Sequence, residues 1–289
     1  MPGWPGALPP ACPRARRRLG IAAIIDDEVP IRDVAAVTAG QAAEAMICNR
    51  LTSPAPLVHV GGWARTWAAE EIPGIVPASL NDDKPGRTLD AIAPHLDQIT
   101  SAVAVAAITT FDIGISQLHQ DMTSFSLHGA YDETDEDYPG PRYGHPKDRR
   151  PDLLQVQAGI AASGDGGIPA CHRACVERRY GNLKGPLAVA PMFLHSNRRI
   201  AALITVISLA LLVFCLIERE ARRNLAPQTK LDGLYNRQPA RPTGGLILTT
   251  LASLCLIPAT ATTPAQVTRP NTVQARLLEL LGVDPTHPP

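Results

Sequence analysis

Residues Ile200 to Ile217 read IAALITVISLALLVFCLI, eighteen positions without a charge. A run of that length and apolarity has two outlets: it sits at the lower edge of bilayer-spanning length, or it forms a helix buried on every side in a folded core. Arg198 and Arg199 precede it, and Glu218, Arg219, Glu220, Arg222 and Arg223 follow it. Positive charge at both ends gives the positive-inside bias nothing to orient, and no aromatic belt marks the ends. A second apolar run, Leu246 to Ile257, is too short to span and is interrupted by Thr249, Thr250 and Ser253.

A chain of 289 residues is long enough for about two domains. Twenty-seven Lys and Arg against twenty-seven Asp and Glu give zero formal net charge, which excludes a protein that holds polyanions by its overall field. The six cysteines are scattered, as in a reduced cytosolic protein. Cys171 and Cys175 flank His172, but no second pair lies at ligand spacing, so a structural zinc site is not expected. Residues 1–18, rich in Pro and Gly and then in Arg (Arg14, Arg16, Arg17, Arg18), lack the apolar segment of a signal peptide and read as a disordered basic start.

Thr38 with Gln41 has capping-box spacing and opens a helix that Ser53, Pro54 and Pro56 stop. Trp63 and Trp67, four apart, read as core anchors on one helix face. Leu89, Ile92, Ala93, Leu96 and Ile99 form an amphipathic stripe, with Thr88 as its expected cap. Residues 19–110 therefore read as a helical unit. Beyond it, Gln117–His128 and Leu153–Ala162 alternate as strands, and Gly164-Asp165-Gly166-Gly167 supplies a turn into Ile168–Cys171. Three antiparallel strands in succession follow from that pattern. Glu177–Lys184 and Arg198–Arg223 read as helices, and residues 225–289 as a Pro-punctuated tail with a short helix at Val273, Leu277, Leu280 and Leu281.

The chain has no glycine-rich phosphate loop, no Gly-x-Ser-x-Gly elbow and no His-Glu-x-x-His pair, so those enzyme classes drop out. What remains is Asp121 on a strand beside Thr123, a basic loop with Arg142, Lys147, Arg149 and Arg150, and Glu177 seven residues before Lys184. One carboxylate on a strand and another on a facing helix are what a two-metal phosphodiester site needs, because Mg²⁺ takes hard oxygen ligands. On pattern alone the favoured reading of the same residues is a surface Asp and a solvated Glu.

Several segments resemble DDE-type, RNase H-like transposases of the insertion-sequence-four superfamily. They are His119-Gln120-Asp121-Met122-Thr123-Ser124, then Gly144-His145-Pro146-Lys147-Asp148-Arg149-Arg150-Pro151-Asp152-Leu153, then Gly164-Asp165-Gly166-Gly167-Ile168-Pro169. Asn49-Arg50-Leu51-Thr52-Ser53-Pro54 and Leu80-Asn81-Asp82-Asp83 are similar to the domain that precedes the catalytic fold in one branch, and Lys184-Gly185-Pro186-Leu187 and the apolar run continue the likeness.

The resemblance implies an α/β architecture: a helical N-terminal domain (19–110), an RNase H-like mixed sheet with C-terminal helices (111–224), and the tail. It implies Mg²⁺ as cofactor, Asp121 and Glu177 as catalytic and metal-binding carboxylates, and DNA bearing terminal inverted repeats as partner. Arg142, Lys147, Arg149, Arg150 and Lys184 would contact that DNA, since Arg and Lys neutralise phosphate. Homo-oligomerisation stays open, and the apolar run becomes a helix behind the sheet rather than a membrane anchor. The family's second Asp belongs to a further strand between the Gly-Ile-Pro hairpin and the catalytic Glu. Only seven residues separate Pro169 from Glu177, so the chain resembles an internally deleted transposase and is expected not to transpose DNA. Two alternatives accompany this: a non-catalytic DNA-binding remnant acting as a repressor, and a single-pass membrane protein anchored by residues 200–217.

Overall fold

The computed structural model describes residues 18–30, 36–67, 74–127, 135–143, 151–171, 194–257 and 266–284, with the backbone alone at 121, 123 and 171. The chain is a mixed α/β protein whose sheets are small and antiparallel.

The N-terminal helices are α1 (Ile21–Glu28), α2 (Ala39–Thr52), α3 (Val60–Thr66), α4 (Asp83–Ile92) and α5 (Leu96–Phe111). The ends of α1 and α2 satisfy one another. Thr38 caps α2 through the expected box with Gln41. The Asp26 carboxylate of α1 accepts from the Thr38 hydroxyl and the Gly40 N–H, both at 2.7 Å. In return Glu44 of α2 accepts from the Ala22 N–H at 3.2 Å, so carboxylates take up N–H groups left open in the first turns of both helices. A Cβ on Gly40 would lie 2.1 Å from the Ala22 carbonyl oxygen, so α1 and α2 approach to a distance only glycine allows.

Trp63 is buried and donates from Nε1 to the Thr52 hydroxyl at 2.9 Å, whereas Trp67 follows the end of α3 and is only half-buried. Thr88 is not a cap. It lies inside α4 and is 2% exposed; the Asn81 side-chain oxygen accepts from the Lys84 N–H at 3.0 Å instead. The stripe from Leu89 to Ile99 continues through a 3-10 turn, Ala93–His95, because Pro94 interrupts the α-helical ladder.

Strands β1 (Leu118–Leu127), β2 (Leu154–Ser163) and β3 (Pro169–Cys171) form the expected antiparallel succession, with β2 in the middle. Leu118 pairs with Ser163 and Leu127 with Leu154. Gly166 and Gly167, at φ 77° and 62°, take the left-handed conformations that turn β2 into β3. Phe125, Leu127, Val156 and Ile160 bury the sheet face toward the helices.

Helix α6 (Asn197–Arg223) is the apolar run and its flanks. Its neighbours are α2, α4, α5, β3 and, after it, α7 (Gly244–Leu251) and α8 (Thr272–Leu280). The sequence placed it behind the sheet. It is instead the shared centre of the molecule, packed chiefly on the N-terminal helices, because an apolar surface on all sides must be covered on all sides. Thr205 and Ser208 are buried with it and donate to the Ala201 and Ile204 carbonyls one turn back. Among the described residues two helical stretches, Asp83–Phe111 and Asn197–Arg223, are long and apolar enough to cross a membrane; the apolar window of the second is 89% buried inside the protein and that of the first 33%.

Residues 225–284 hold more than a short helix. Strands β4 (Leu231–Tyr235) and β5 (Gln238–Ala240) form a hairpin whose two loop residues, Asn236 and Arg237, both have positive φ, as a type I′ turn requires. Strands β6 (Leu256–Ile257) and β7 (Gln266–Val267) pair between α7 and α8. One apolar core runs from Leu19 to Leu281, so packing does not stop at residue 110 or at 224. Arg18 is also fixed, not part of a disordered start: it stacks 4.1 Å over the Phe111 ring and donates to the Thr110 carbonyl.

Candidate functional site

Position 121 is the fourth residue of β1 and is in register with Ile160 of β2, which is 1% exposed. Among the described residues β1 has a strand neighbour on one side only. Glu177, Lys147, Arg149, Arg150 and Lys184 lie outside the described residues. Arg142 is described: it is exposed, and its backbone exchanges hydrogen bonds of 3.0 and 2.9 Å with Gln155. Gln155 is five residues along β2 from Ile160, about 17 Å at strand rise, so Arg142 does not stand beside position 121.

The groove that borders Met122 has a volume of about 720 Å³. Among the described residues its ionisable lining is Asp97, Asp137 and Tyr138. No group of three His, Cys, Asp or Glu side chains placed to hold a metal ion occurs among the described residues. The described residues thus do not by themselves fit a Mg²⁺ centre.

Asp165 lies in the turn between β2 and β3, as its sequence setting suggests. Arg219, whose side chain is 7% exposed, holds the Asp165 carboxylate through Nε at 3.1 Å and through NH2. Gly114 N–H adds a further bond at 3.1 Å. The Arg219 hydrogen bond, helped by that N–H and opposed by burial, holds the Asp165 carboxyl below the ordinary carboxylate value.

The same arginine donates to the Phe111 and Asp112 carbonyls, both at 2.9 Å, and Arg223 donates to Phe111 at 3.2 Å. With Arg18 on Thr110, three guanidinium groups cover the carbonyl end of α5, where the orphan acceptors and the negative end of the helix dipole lie. The adjoining cleft of about 520 Å³ is lined by both signs, Asp112, Asp165 and Glu218 beside Arg219, Arg222, Arg223 and Arg241. It is a salt-linked joint between α5, the β2–β3 turn and α6. In the sequence these arginines were only the flank of an apolar run.

The Asn49–Pro54 motif also has a packing role. Asn49 donates to the Ser53 carbonyl, Arg50 to the Ala55 carbonyl and Thr52 to the Cys48 carbonyl, all between 2.8 and 2.9 Å. They shape the turn that leaves α2.

The cationic side chains that sequence reasoning missed are Arg87 and Arg198. Arg198 donates through NH2 to the Asp90 carbonyl at 2.6 Å, and Arg199 grips the Asp90 carboxylate at 2.9 and 2.7 Å. These contacts clamp the start of α6 onto α4. Their only sequence signal was the Arg-Arg pair before the apolar run, which hydropathy treats as a boundary.

Fold and site together define an α/β protein with a helical N-terminal part clamped to a central apolar helix. Residues 14–105, whose described part runs from Arg18 into α5, match a family described as a domain of unknown function, DUF4277. No curated protein and no solved structure matches the chain.

Proposed function

We propose that the chain is a transposase-family protein that binds DNA and has lost DNA cleavage and strand transfer. One observation carries the reading: Asp121 lies mid-strand on the first strand of a three-stranded antiparallel succession that follows a helical N-terminal part. That is where the resemblance to RNase H-like DDE enzymes puts the first catalytic carboxylate. In intact relatives Mg²⁺ ions would activate the attacking oxygen and stabilise the leaving one. Here Asp121 and Glu177 remain from that set and the second Asp has no counterpart in the sequence. Two carboxylates cannot hold two ions in register, so binding survives and chemistry does not.

The second reading within this class is a repressor that competes with an intact enzyme for the same DNA ends, in a cytoplasmic setting. The membrane-anchor alternative is disfavoured by the enclosure of α6, since a lipid-facing helix would leave its apolar surface uncovered by protein.

The test is a salt-titrated gel shift of the full chain against the ends of an intact related element and a scrambled duplex, followed by incubation with Mg²⁺. The expected outcome is tighter binding to the element ends and no joined product. Product formation would overturn the loss of chemistry, and equal or absent binding on both duplexes would overturn the DNA-reading role.

A further inference from the structure

Helix α4 and the segment 36–39 wall a second groove of about 720 Å³. Among the described residues its lining carries Lys84, Arg87 and Arg198 against the carboxylate of Asp90, and Lys84 Nζ already donates to the Val37 carbonyl at 2.6 Å. That carboxylate is already taken by Arg199.

Lys84, Arg87, Thr88 and Ala91 follow one another at helical spacing, so a single face of α4 forms one wall. Arg87 is exposed and has no ion-pair partner among the described residues. The Arg198 Nε is buried without a hydrogen-bond partner, and so is the hydroxyl of Thr88, a residue 2% exposed. Folded proteins rarely leave buried donors orphaned, and a bound ion is one of the ordinary partners of such groups. Arg87, the Thr88 hydroxyl and the Nε of Arg198, whose NH2 is already on the Asp90 carbonyl, are donors at one groove without matching acceptors among the described residues. A tetrahedral oxyanion supplies several acceptors and the missing negative charge at once.

We propose that this groove is a phosphate-binding site, in which Arg87, Arg198 and the Thr88 hydroxyl hold the oxygens of one phosphate group. The proposed function enters only in the source: a DNA backbone phosphate if that reading holds, a free phosphate or small phosphate ester if it does not. The groove lies within the helical N-terminal part and takes Arg198 from α6, so occupancy would tighten the clamp between them.

Two measurements on the full chain separate the site from its source. In the first, melting is followed in phosphate and in chloride at equal ionic strength for wild type, Arg87→Ala and Thr88→Val. Arg87 is exposed on a helix, and Thr88→Val keeps the shape while removing the orphan hydroxyl, so both variants are expected to fold. Wild type should gain about 2–4 °C in phosphate and Arg87→Ala should lose most of that gain. An equal gain in all three proteins would be the general effect of an excluded salt and would overturn the proposal, as would no gain in any.

In the second, binding of a 30-base-pair duplex is titrated with salt, and Arg87→Ala should lower the slope of log K against log salt by about 0.9, one phosphate contact. A phosphate gain that depends on Arg87 together with an unchanged slope assigns the site to a free phosphate or small ester. The same gain with no DNA bound at all leaves this site standing and overturns the DNA reading above.

Discussion

Gly61 and Gly62 are neighbours in α3, and the structure gives them opposite fates on substitution by alanine. Replacing a helical glycine by alanine gains about 0.5–1 kcal/mol at either position, through the lower backbone entropy of the unfolded chain. At Gly62 nothing lies within 4 Å of the added Cβ, so that gain stands alone. At Gly61 the Cβ would meet the Leu80 carbonyl oxygen at 2.4 Å. That oxygen is backbone, on the 3-10 segment Pro77–Ser79 and its cap, and cannot swing aside. Helix α3 must lift off the segment, opening the small core of Val60, Trp63, Ile75 and Leu80, at a cost of about 1–3 kcal/mol typical of overpacking. The propensity gain cancels between the two variants, so their separation is the overlap cost itself. At its midpoint of about 2 kcal/mol the two melting temperatures should differ by about 4–8 °C, Gly62→Ala above wild type and Gly61→Ala below it. Urea unfolding at constant m should give the same order. If both variants move up together, α3 does not pack on residues 77–80 as described and the argument fails.

Asp26→Ala should cost about 1–2 kcal/mol in urea, because it removes the acceptor for both the Thr38 hydroxyl and the Gly40 N–H; no change would mean that water replaces the carboxylate without loss. Asp165 has a depressed carboxyl, so its contribution is present above the ordinary value of 3.8 and fades as the pH falls through the folded value. The stability excess of wild type over Asp165→Asn should therefore hold from neutral pH to about 4 and shrink below that. An excess that stays constant to pH 3 would show that the Arg219 pair does not act through charge. Leu211, fully buried at the centre of α6, should cost about 2–5 kcal/mol when cut to alanine, in buffer without detergent. A chain that needs detergent to stay dispersed, or a variant as stable as wild type, would refute the central-core placement of α6.

Much of the local structure was legible because its causes are local. The Thr38–Gln41 box, the stop at Ser53, the two alternating strands and the Gly166–Gly167 turn each follow from spacing or from a backbone angle only glycine takes easily. The hairpin at Asn236-Arg237 escaped notice, since its first loop residue is the usual asparagine but the second is not glycine. Thr88 was misplaced for a related reason: a threonine before an apolar stripe looks like a cap, and only the helix start at Asp83 shows that it lies more than one and a half turns too late.

What the sequence determined alone was the elements with local signals, such as α2, β1 and β2, and the need to cover an eighteen-residue apolar helix completely. It could not say what would cover it, because an all-round apolar surface carries no direction. Tertiary structure decided that α2, α4 and α5 share that task with the sheet, that three arginines remote in sequence from Thr110–Asp112 close the end of α5, and that Arg198 joins Arg87 and Thr88 in one groove. Those are contacts between residues about 90–110 positions apart, set by which faces meet in the folded chain rather than by any local spacing, and no pattern along the sequence records them.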